Sequence, residues 1–278
     1  MDKVIAGIVT YNPDILRLKE NITAISKQVV TLVIVDNYSD NIKSIETLIS
    51  KFDNIEIIKL QENRGIAYAL NVIGNYAMRV HAKFYLTLDQ DSVVTDNLIE
   101  EYLKYSNILK DFGLISSYHI DFNDRQNIKK DLQLSKIEFP ITSGSFMRTD
   151  LFEKGIRFND KLFIDKVDYD MDLQLRINGY QLYRIPYIGF YHQLGDISYK
   201  SLFGKKIMLT NHSANRYYYN YRNTLVLAKK YGILNKNIIN FFVGDTLLFW
   251  KILFFEKQKK TKLLAIINGI FDGFKTKN

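Results

Sequence analysis

Two aspartates, Asp89 and Asp91, stand directly after the apolar run Phe84–Leu88. Such a run is typical of a buried strand, and residues two apart in an extended chain point the same way. Both carboxylates are therefore expected to face one point, which suits a hard divalent cation that carries a diphosphate. Open α/β sheets bind ligands at the carboxyl ends of their strands. The pair predicts a metal site, whereas Asp-x-Asp without this setting is common in solvated loops.

Strands and helices alternate up to this pair. Apolar strands are predicted at Val4–Val9, Val30–Val35, Ile55–Leu60 and Phe84–Leu88, with helices at Asp14–Val29, Ile42–Phe52 and Ile66–Ala82. The alternation predicts a parallel sheet covered on both faces. Neither G-x-G-x-x-G nor G-x-x-x-x-G-K-[ST] occurs, so the two common phosphate-binding loops are absent. The cation is therefore expected to hold the phosphates.

Beyond the aspartates the pattern is less regular. Strands are predicted at Gly113–Tyr118, Phe139–Met147 and Leu182–Pro186, and helices at Asp96–Leu109, Thr149–Lys154, Asp165–Asn178, Ala214–Tyr231, Asn237–Phe255 and Lys262–Phe274. No repeat or low-complexity segment separates them.

Composition limits the class of protein. Of 278 residues, 47% are hydrophobic and none is cysteine, which excludes a disulfide scaffold, a thiol nucleophile and a cysteine metal site. The first ten residues form a strand pattern and not a signal peptide. No uninterrupted apolar stretch reaches the ~18 residues of a membrane span. A cytoplasmic protein is expected.

The charge is unevenly distributed. Residues 199–278 carry fifteen Lys and Arg against three acids, a net charge of +12, while the remainder carries −4. Aromatic residues such as Trp250 and Phe254 lie beside Lys251, Lys257 and Lys259, a pattern typical of a helix at a membrane surface. The alternatives are a helical cap with a solvated basic face, a homodimer surface, or a nucleic-acid-binding surface.

Several short motifs occur in a fixed order. They are Thr10-Tyr11-Asn12, Asp36-Asn37-Tyr38-Ser39, Asn63-Arg64-Gly65-Ile66-Ala67, Leu88-Asp89-Gln90-Asp91-Ser92, Ser143-Gly144-Ser145, Ile164-Asp165-Lys166-Val167-Asp168 and His192-Gln193-Leu194-Gly195. Together they resemble the bacterial family 2 glycosyltransferases, most closely the dTDP-rhamnosyltransferases, over Val4 to Arg222. The resemblance implies a GT-A, Rossmann-like α/β fold with a mixed, mainly parallel sheet flanked by helices. A basic helical C-terminal extension would follow it.

The resemblance also implies roles for individual residues. Donor nucleotide contacts would come from Thr10, Tyr11, Asn12, Asp36, Arg64, Gly65, Asn71, Asp89 and Gln90. Asp91, Asp89 and His192 would hold Mn²⁺ or Mg²⁺, and Ser143, Gly144, Asp165 and Arg222 would line the acceptor side. Structural alternatives exist for most of them, for example an Asx turn at Asp36.

Inverting transfer requires a carboxylate that removes the acceptor's proton. The resemblance assigns this role to Asp168, with Asp165 and Asp170 as rivals in the same acidic run. Many relatives have Glu-Asp where this chain has Val167-Asp168, so the assignment rests on one carboxylate. Part of the run could serve only the positive end of a helix.

The domain prediction follows from these motifs. Residues 1–212 would form the catalytic domain, with a nucleotide-binding half (1–92) and an acceptor half (93–212), and 213–278 a helical extension. The implied reaction moves L-rhamnose from dTDP-rhamnose to a lipid-linked saccharide at the inner membrane surface. Alternatives are a UDP-hexose or UDP-galactofuranose donor, a catalytically inactive sugar-nucleotide binder, and a nucleic-acid-binding protein.

Overall fold

The computed structural model describes residues 3–122, 131–192, 198–202 and 205–276. The strands are β1 Val4–Thr10, β2 Thr31–Asp36, β3 Ile55–Lys59, β4 Phe84–Asp89, β5 Val93–Val94, β6 Phe112–Asp121, β7 Ser135–Lys136, β8 Ser145–Arg148, β9 Gln181–His192, β10 Ser198–Leu202 and β11 Lys205–Leu209. The helices are α1 Ile15–Ser26, α2 Ile42–Ile49, α3 Gly65–Arg79, α4 Leu98–Ile108, α5 Asp150–Glu153, α6 Val167–Ile177, α7 Ala214–Tyr231, α8 Lys236–Phe255 and α9 Lys259–Lys275.

The described chain forms two compact units. The first comprises residues 3–122, 131–160 and 168–192, and the second comprises 161–167 and the described residues from 198 onward.

A mixed sheet forms the first unit. Its strand order is β3-β2-β1-β4-β8-β6-β9-β5, with β7 beside β9. Strands β3, β2, β1 and β4 run parallel, as do β6 and β9, and β8 pairs antiparallel with both β4 and β6. Val4, Ala6 and Ile8 of β1 lie on one face of the sheet and pack into a large hydrophobic core, and β1 is buried along its whole length. The predicted mixed α/β architecture is confirmed.

Several element boundaries differ from the sequence prediction. The strand predicted to end at Pro186 continues to His192, because Pro186 lies at a register irregularity of β9 where its missing N–H costs no ladder bond. The strand predicted over Phe139–Met147 is reduced to β8. Helix α6 begins at Val167 and not at Asp165, since Asp165 and Lys166 have φ of 63° and 59°.

The second unit is mainly helical. Two ion pairs are buried within it: Lys166 Nζ lies 3.4 Å from Asp245 Oδ1, and Lys262 Nζ lies 2.7 Å from Glu256 Oε2. The lysines near Lys262 in sequence suggest an exposed basic face, but Lys262 itself is buried and is not part of one. Helix α8 is long and apolar enough to cross a membrane by length and composition, and only 17% of its apolar window is buried, unlike that of a core helix.

Helices α7 and α9 approach closely at Gly269. A Cβ built there would lie 2.3 Å from the Tyr218 carbonyl oxygen, which belongs to helix backbone and cannot move aside. Gly244 of α8 has no atom within 4 Å of its Cβ position. We expect Gly269→Ala to destabilise the protein by about 1–3 kcal/mol through overpacking. Gly244→Ala should stabilise it by up to ~1 kcal/mol through helix propensity.

Chemical denaturation of both variants measures this difference. Equal effects from the two substitutions would contradict the close approach of α7 and α9.

Candidate functional site

Asp89, Asp91 and His192 form a cluster able to hold a cation. One ligand atom from each lies within 4.8 Å of the others, and all three side chains are half-buried. His192 Nδ1 lies 3.6 Å from Asp91 Oδ1. Carboxylate oxygens and imidazole nitrogen are ligands that Mn²⁺ accepts, while Mg²⁺ prefers oxygen. The donor set therefore fits a divalent cation.

A turn and a strand pairing bring the cluster together. Strand β4 ends at Asp89, and the Ser92 N–H donates to the Asp89 carbonyl at 3.2 Å across a turn. The two aspartates therefore converge through this turn, and the extended geometry expected from the sequence was wrong. β5 then pairs antiparallel with the end of β9, where Val93 faces Tyr191, and so places His192 beside the turn.

Two buried serines support the cluster. The Asp89 N–H donates to Ser143 Oγ at 3.0 Å, and Ser143 Oγ donates to Ser92 Oγ at 2.8 Å. Ser92 Oγ lies 2.9 Å from His192 Nδ1. Such outer contacts orient a ligating histidine. Ser143, expected at the acceptor side, thus contacts the backbone of the Asp89, Asp91 and His192 cluster. Ser92 was missed by the sequence analysis, although the Asp-Gln-Asp-Ser motif contains it.

Thr10 and Asp36 lie together after β1 and β2. The Asp36 side chain is 2% exposed, and its two oxygens accept from Thr10 Oγ1 and from the Ser39 N–H, both at 2.9 Å. The bond from Ser39 reaches the backbone three residues on, whereas the Asx turn that the sequence left as the structural alternative reaches two residues on. The carboxylate is therefore held in a fixed orientation between the two loops.

Tyr11, Asn12 and Gln90 join the loop after β1 to its neighbours. The Tyr11 N–H donates to Gln90 Oε1 at 2.9 Å, and the Asn12 N–H donates to Ser39 Oγ at 2.8 Å. Asn12 has φ of 47°, a conformation that asparagine tolerates better than most residues. The Tyr11 side chain is 48% exposed, so its ring face is open to a stacking partner.

The loop before α3 is organised by two asparagines. Asn37 Nδ2 donates to Asn63 Oδ1 at 2.9 Å, and Asn37 Oδ1 accepts from the Arg64 N–H at 2.9 Å. Gly65 has φ of 81°, so it adopts a conformation that other residues rarely reach. The Arg64 guanidinium stacks on Tyr68, 3.6 Å from the ring centroid. Asn37 and Asn63 were not among the expected site residues.

Asn71 lies elsewhere on α3. Its amide oxygen accepts from the Phe158 N–H at 3.0 Å, and its amide nitrogen donates to the Phe158 carbonyl and to Asp160. These bonds fix the segment around Phe158. The polar atoms of Asn71 are engaged within the protein, and its predicted nucleotide contact stays a prediction.

Gly144 begins the turn into β8. Its φ is 76°, and a Cβ there would lie 2.2 Å from the Phe190 ring. The Gly144 N–H donates to the Thr87 carbonyl at 2.8 Å. The position therefore requires glycine. The turn that Gly144 makes possible holds the neighbouring Ser143 against the Asp89 backbone.

The acidic run continues into α6. Asp168 lies in the first turn of this helix, and its Oδ1 accepts from the Tyr169 N–H at 3.0 Å. Asp170 is fully buried and accepts from Gln174 Nε2 at 2.8 Å. Asp172 is 1% exposed and its Oδ2 has no hydrogen-bond partner among the described residues.

Asp165 and Arg222 belong to the second unit. Asp165 Oδ1 pairs with Arg216 Nη2 at 2.6 Å, and Arg222 Nη1 donates to the Lys161 carbonyl at 2.7 Å. The buried Asn223 amide nitrogen lies within hydrogen-bond distance of three carbonyls of this segment, those of Leu162, Ile164 and Asp165, at 2.8, 2.8 and 2.9 Å. Asn223 thus fixes the segment before Asp168, a contact that sequence spacing does not reveal.

A family model, "Glycosyl transferase family 2", matches residues 6–160, which is more than half of the chain. The chain belongs to glycosyl transferase family 2. The dTDP-rhamnosyl transferase RfbF of Shigella flexneri is 29% identical over 96% of this chain and 95% of its own length. An uncharacterized glycosyltransferase of Methanocaldococcus jannaschii is 25% identical over 95% of this chain and 97% of its own. The expected family is confirmed.

Solved structures of other glycosyltransferases share the fold. TarS of S. aureus (residues 1–349) in complex with UDP-GlcNAc matches with a TM-score of 0.64 at 14% identity, covering 98% of this chain and 81% of TarS. The mannosyltransferase PcManGT of Pyrobaculum calidifontis, in complex with GDP-Man and Mn²⁺, matches with a TM-score of 0.61 at 13% identity. That match covers 100% of this chain and 76% of the mannosyltransferase. The family 2 chain therefore has a GT-A-like fold.

Burial raises the pKa of Asp172 in this glycosyltransferase well above its usual range, and the nearby Asp168 charge adds to the shift. The contribution of this carboxyl to stability is therefore fully present below the unfolded pKa of about 3.9 and is lost as pH rises through the folded-state pKa. Asp172→Asn cannot ionise. We expect it to raise Tm at pH 8 by about 2–4 °C, the shift that ~1 kcal/mol gives in a domain of this size.

Thermal unfolding of the variant and wild type at pH 4 and pH 8 measures this effect. The gain should shrink at pH 4, and Asp53→Asn, in an exposed turn, should show no pH-dependent gain. A gain from Asp172→Asn that is equal at both pH values would contradict the buried acid.

Proposed function

We propose that the protein is an inverting, metal-dependent glycosyltransferase that moves L-rhamnose from dTDP-rhamnose to a saccharide hydroxyl. The observation that carries the proposal is the Asp89, Asp91 and His192 cluster at the carboxyl end of β4. The similarity to a dTDP-rhamnosyl transferase over 96% of the chain supports the choice of donor. The acceptor in this proposal is a lipid-linked saccharide in bacterial surface polysaccharide synthesis.

The loops after β1, β2 and β4 would bind the donor. Tyr11 presents an exposed ring to the base, and the fixed Asp36 carboxylate offers an acceptor to a pyrimidine N–H. Arg64 would neutralise a phosphate. Asp91, Asp89 and His192 would hold a cation, which would supply Lewis-acid stabilisation to the departing diphosphate. The Gln90 side chain accepts from the Tyr11 N–H and so connects the loop after β4 to the loop after β1. The residues proposed to bind the cation and the nucleotide base are therefore held together.

Asp168 would remove the proton of the acceptor hydroxyl as that oxygen attacks the sugar. A positioned carboxylate of this kind contributes typically 10²–10⁴-fold to the rate. In this proposal Ser143, Gly144, Asp165 and Arg222 line the acceptor side. The halves 1–92 and 93–212 divide nucleotide from acceptor binding, and 213–278 forms the helical extension. We place the enzyme in the cytoplasm at the inner face of the cell membrane.

Calorimetric titration with dTDP-rhamnose, dTDP-glucose, UDP-glucose and UDP-galactose, each with Mn²⁺ and with EDTA, tests the proposal. Tight binding of dTDP-rhamnose only in the presence of Mn²⁺ is expected. Selective binding of a UDP-sugar would replace the donor while keeping the fold and the cation. Binding that is equal with EDTA would remove the metal from the proposal.

A further inference from the structure

Helix α8 presents an apolar stripe outward. Ile239, Val243, Leu247, Trp250 and Phe254 are between 45% and 60% exposed. Their spacing of three and four residues puts them on one side of the helix. The opposite side contains the buried Ile238 and Ile252. The helix therefore packs on its own unit with one side and leaves an apolar side uncovered.

Helix α9 repeats the pattern. Leu264, Ile267, Phe271 and Phe274 recur at intervals of three and four residues and are between 47% and 64% exposed. Of the twenty large hydrophobic residues exposed in the described chain, eleven lie between Ile233 and Phe274. Scattered apolar residues are ordinary on protein surfaces, whereas a concentration of this kind marks an interaction site.

The exposed charge beside these stripes is almost entirely positive. Two of the three acids in this part of the chain, Asp245 and Glu256, are buried in ion pairs. The exposed lysines of α8, α9 and their connection are Lys236, Lys257, Lys259, Lys260 and Lys275. Lysines around an apolar helical side favour a surface that offers both hydrocarbon and negative charge.

We propose that the exposed sides of α8 and α9, the docking face, bind the surface of an anionic lipid bilayer. Pairing the same face with a second copy would bring lysine clusters together, which like-charge repulsion opposes. Asp245, midway along α8, pairs with Lys166 and accepts from Asn220 at 2.8 Å within its own unit. These bonds hold α8 against its unit, so the helix lies on the bilayer and does not cross it.

The proposal rests on the proposed function in one respect, because a lipid-linked acceptor gives the enzyme a reason to bind a membrane. The two remain separable. Vesicle binding requires no sugar nucleotide, and donor calorimetry requires no lipid. Failure of one measurement therefore leaves the other proposal standing.

The only tryptophan of the chain, Trp250, lies on the docking face and is 49% exposed, so it serves as a native probe. Adding vesicles of phosphatidylcholine with phosphatidylglycerol should shift its emission to the blue and protect it from iodide. The shift should weaken at high salt, because salt screens the attraction between the exposed lysines and the anionic surface. Vesicles of phosphatidylcholine alone should produce a much smaller shift.

Matched variants separate charge from apolar contact. Replacing Lys257, Lys259 and Lys260 together by glutamine should lower partitioning into anionic vesicles roughly 10²-fold, since each lysine near the surface contributes ~1 kcal/mol. Leu247→Ser with Phe254→Ser should also weaken it. Leu16→Ser and Ile177→Ser, at exposed apolar positions of the first unit, are the controls and should bind like wild type.

Three outcomes would overturn the proposal. Unchanged Trp250 emission with anionic vesicles would show that no bilayer covers the face. A blue shift that depends on protein concentration and appears without vesicles would assign the face to a second copy of the chain. Protein that alkaline carbonate cannot release from vesicles would show that α8 crosses the bilayer and does not lie on it.

Discussion

Asp91→Ala is expected to abolish metal-dependent binding of the donor nucleotide. The substitution removes one of three ligands whose donor atoms lie within 4.8 Å of one another. It leaves His192 with Asp89 alone, too few ligands to hold a hard cation in competition with water. Turnover should fall by at least 10²-fold, because the leaving diphosphate loses its Lewis acid. Calorimetry with dTDP-rhamnose and Mn²⁺ measures the first effect, and a steady-state assay measures the second.

Asp96→Asn is the matched control. Asp96 lies five residues further along the same connection and is exposed, so its loss should change neither affinity nor rate. If Asp91→Ala bound the donor with wild-type affinity and the same dependence on Mn²⁺, the cation would not be held at this cluster.

Asp168→Asn is expected to separate catalysis from binding. The amide keeps the size and most hydrogen bonds of the carboxylate but cannot remove a proton. Donor affinity should stay within about twofold of wild type, while kcat falls about 10²-fold or more, the range that a positioned general base contributes. Single-turnover kinetics with bound donor isolates this step from product release.

The neighbouring carboxylates give the comparison. Asp165 is paired with Arg216, and Asp170 accepts from Gln174, so Asp165→Asn and Asp170→Asn should also disturb local structure. Their unfolding must therefore be measured beside their rates. Near-normal turnover of Asp168→Asn, with a large loss in a folded Asp165→Asn or Asp170→Asn variant, would move the base to that residue.

Most of the fold could be predicted from local sequence patterns. Apolar strands alternating with amphipathic helices are set by residues near in sequence, so β1 to β4 and their helices could be predicted within a few residues. The motif order similarly identified the family. The short strands β5 and β7 contain two residues each and have no periodicity to detect. These two strands form because each pairs with β9, which is distant in sequence.

The site could be predicted at the level of residues but not of contacts. Asp89 and Asp91 were found by their spacing, yet the turn closed by Ser92 brings them together. The roles of Asn37 and Asn223 depend on partners 26 and about 60 residues away, which a single sequence does not pair. From the sequence the buried Asp172 also could not be distinguished from the other acids of the run, because a helix face is hidden only once the sheet is in place.

The short segment 161–167 has a consequence for how this protein could be truncated or recombined. It belongs to the second unit although both of its chain neighbours, Asp160 and Asp168, belong to the first. Asn223 and Asp245 hold this segment, and both lie far downstream. A gene cut after residue 212 would therefore leave seven residues before Asp168 without their partners. The helical part is not a detachable module, and exchange between relatives must carry 161–167 along with it.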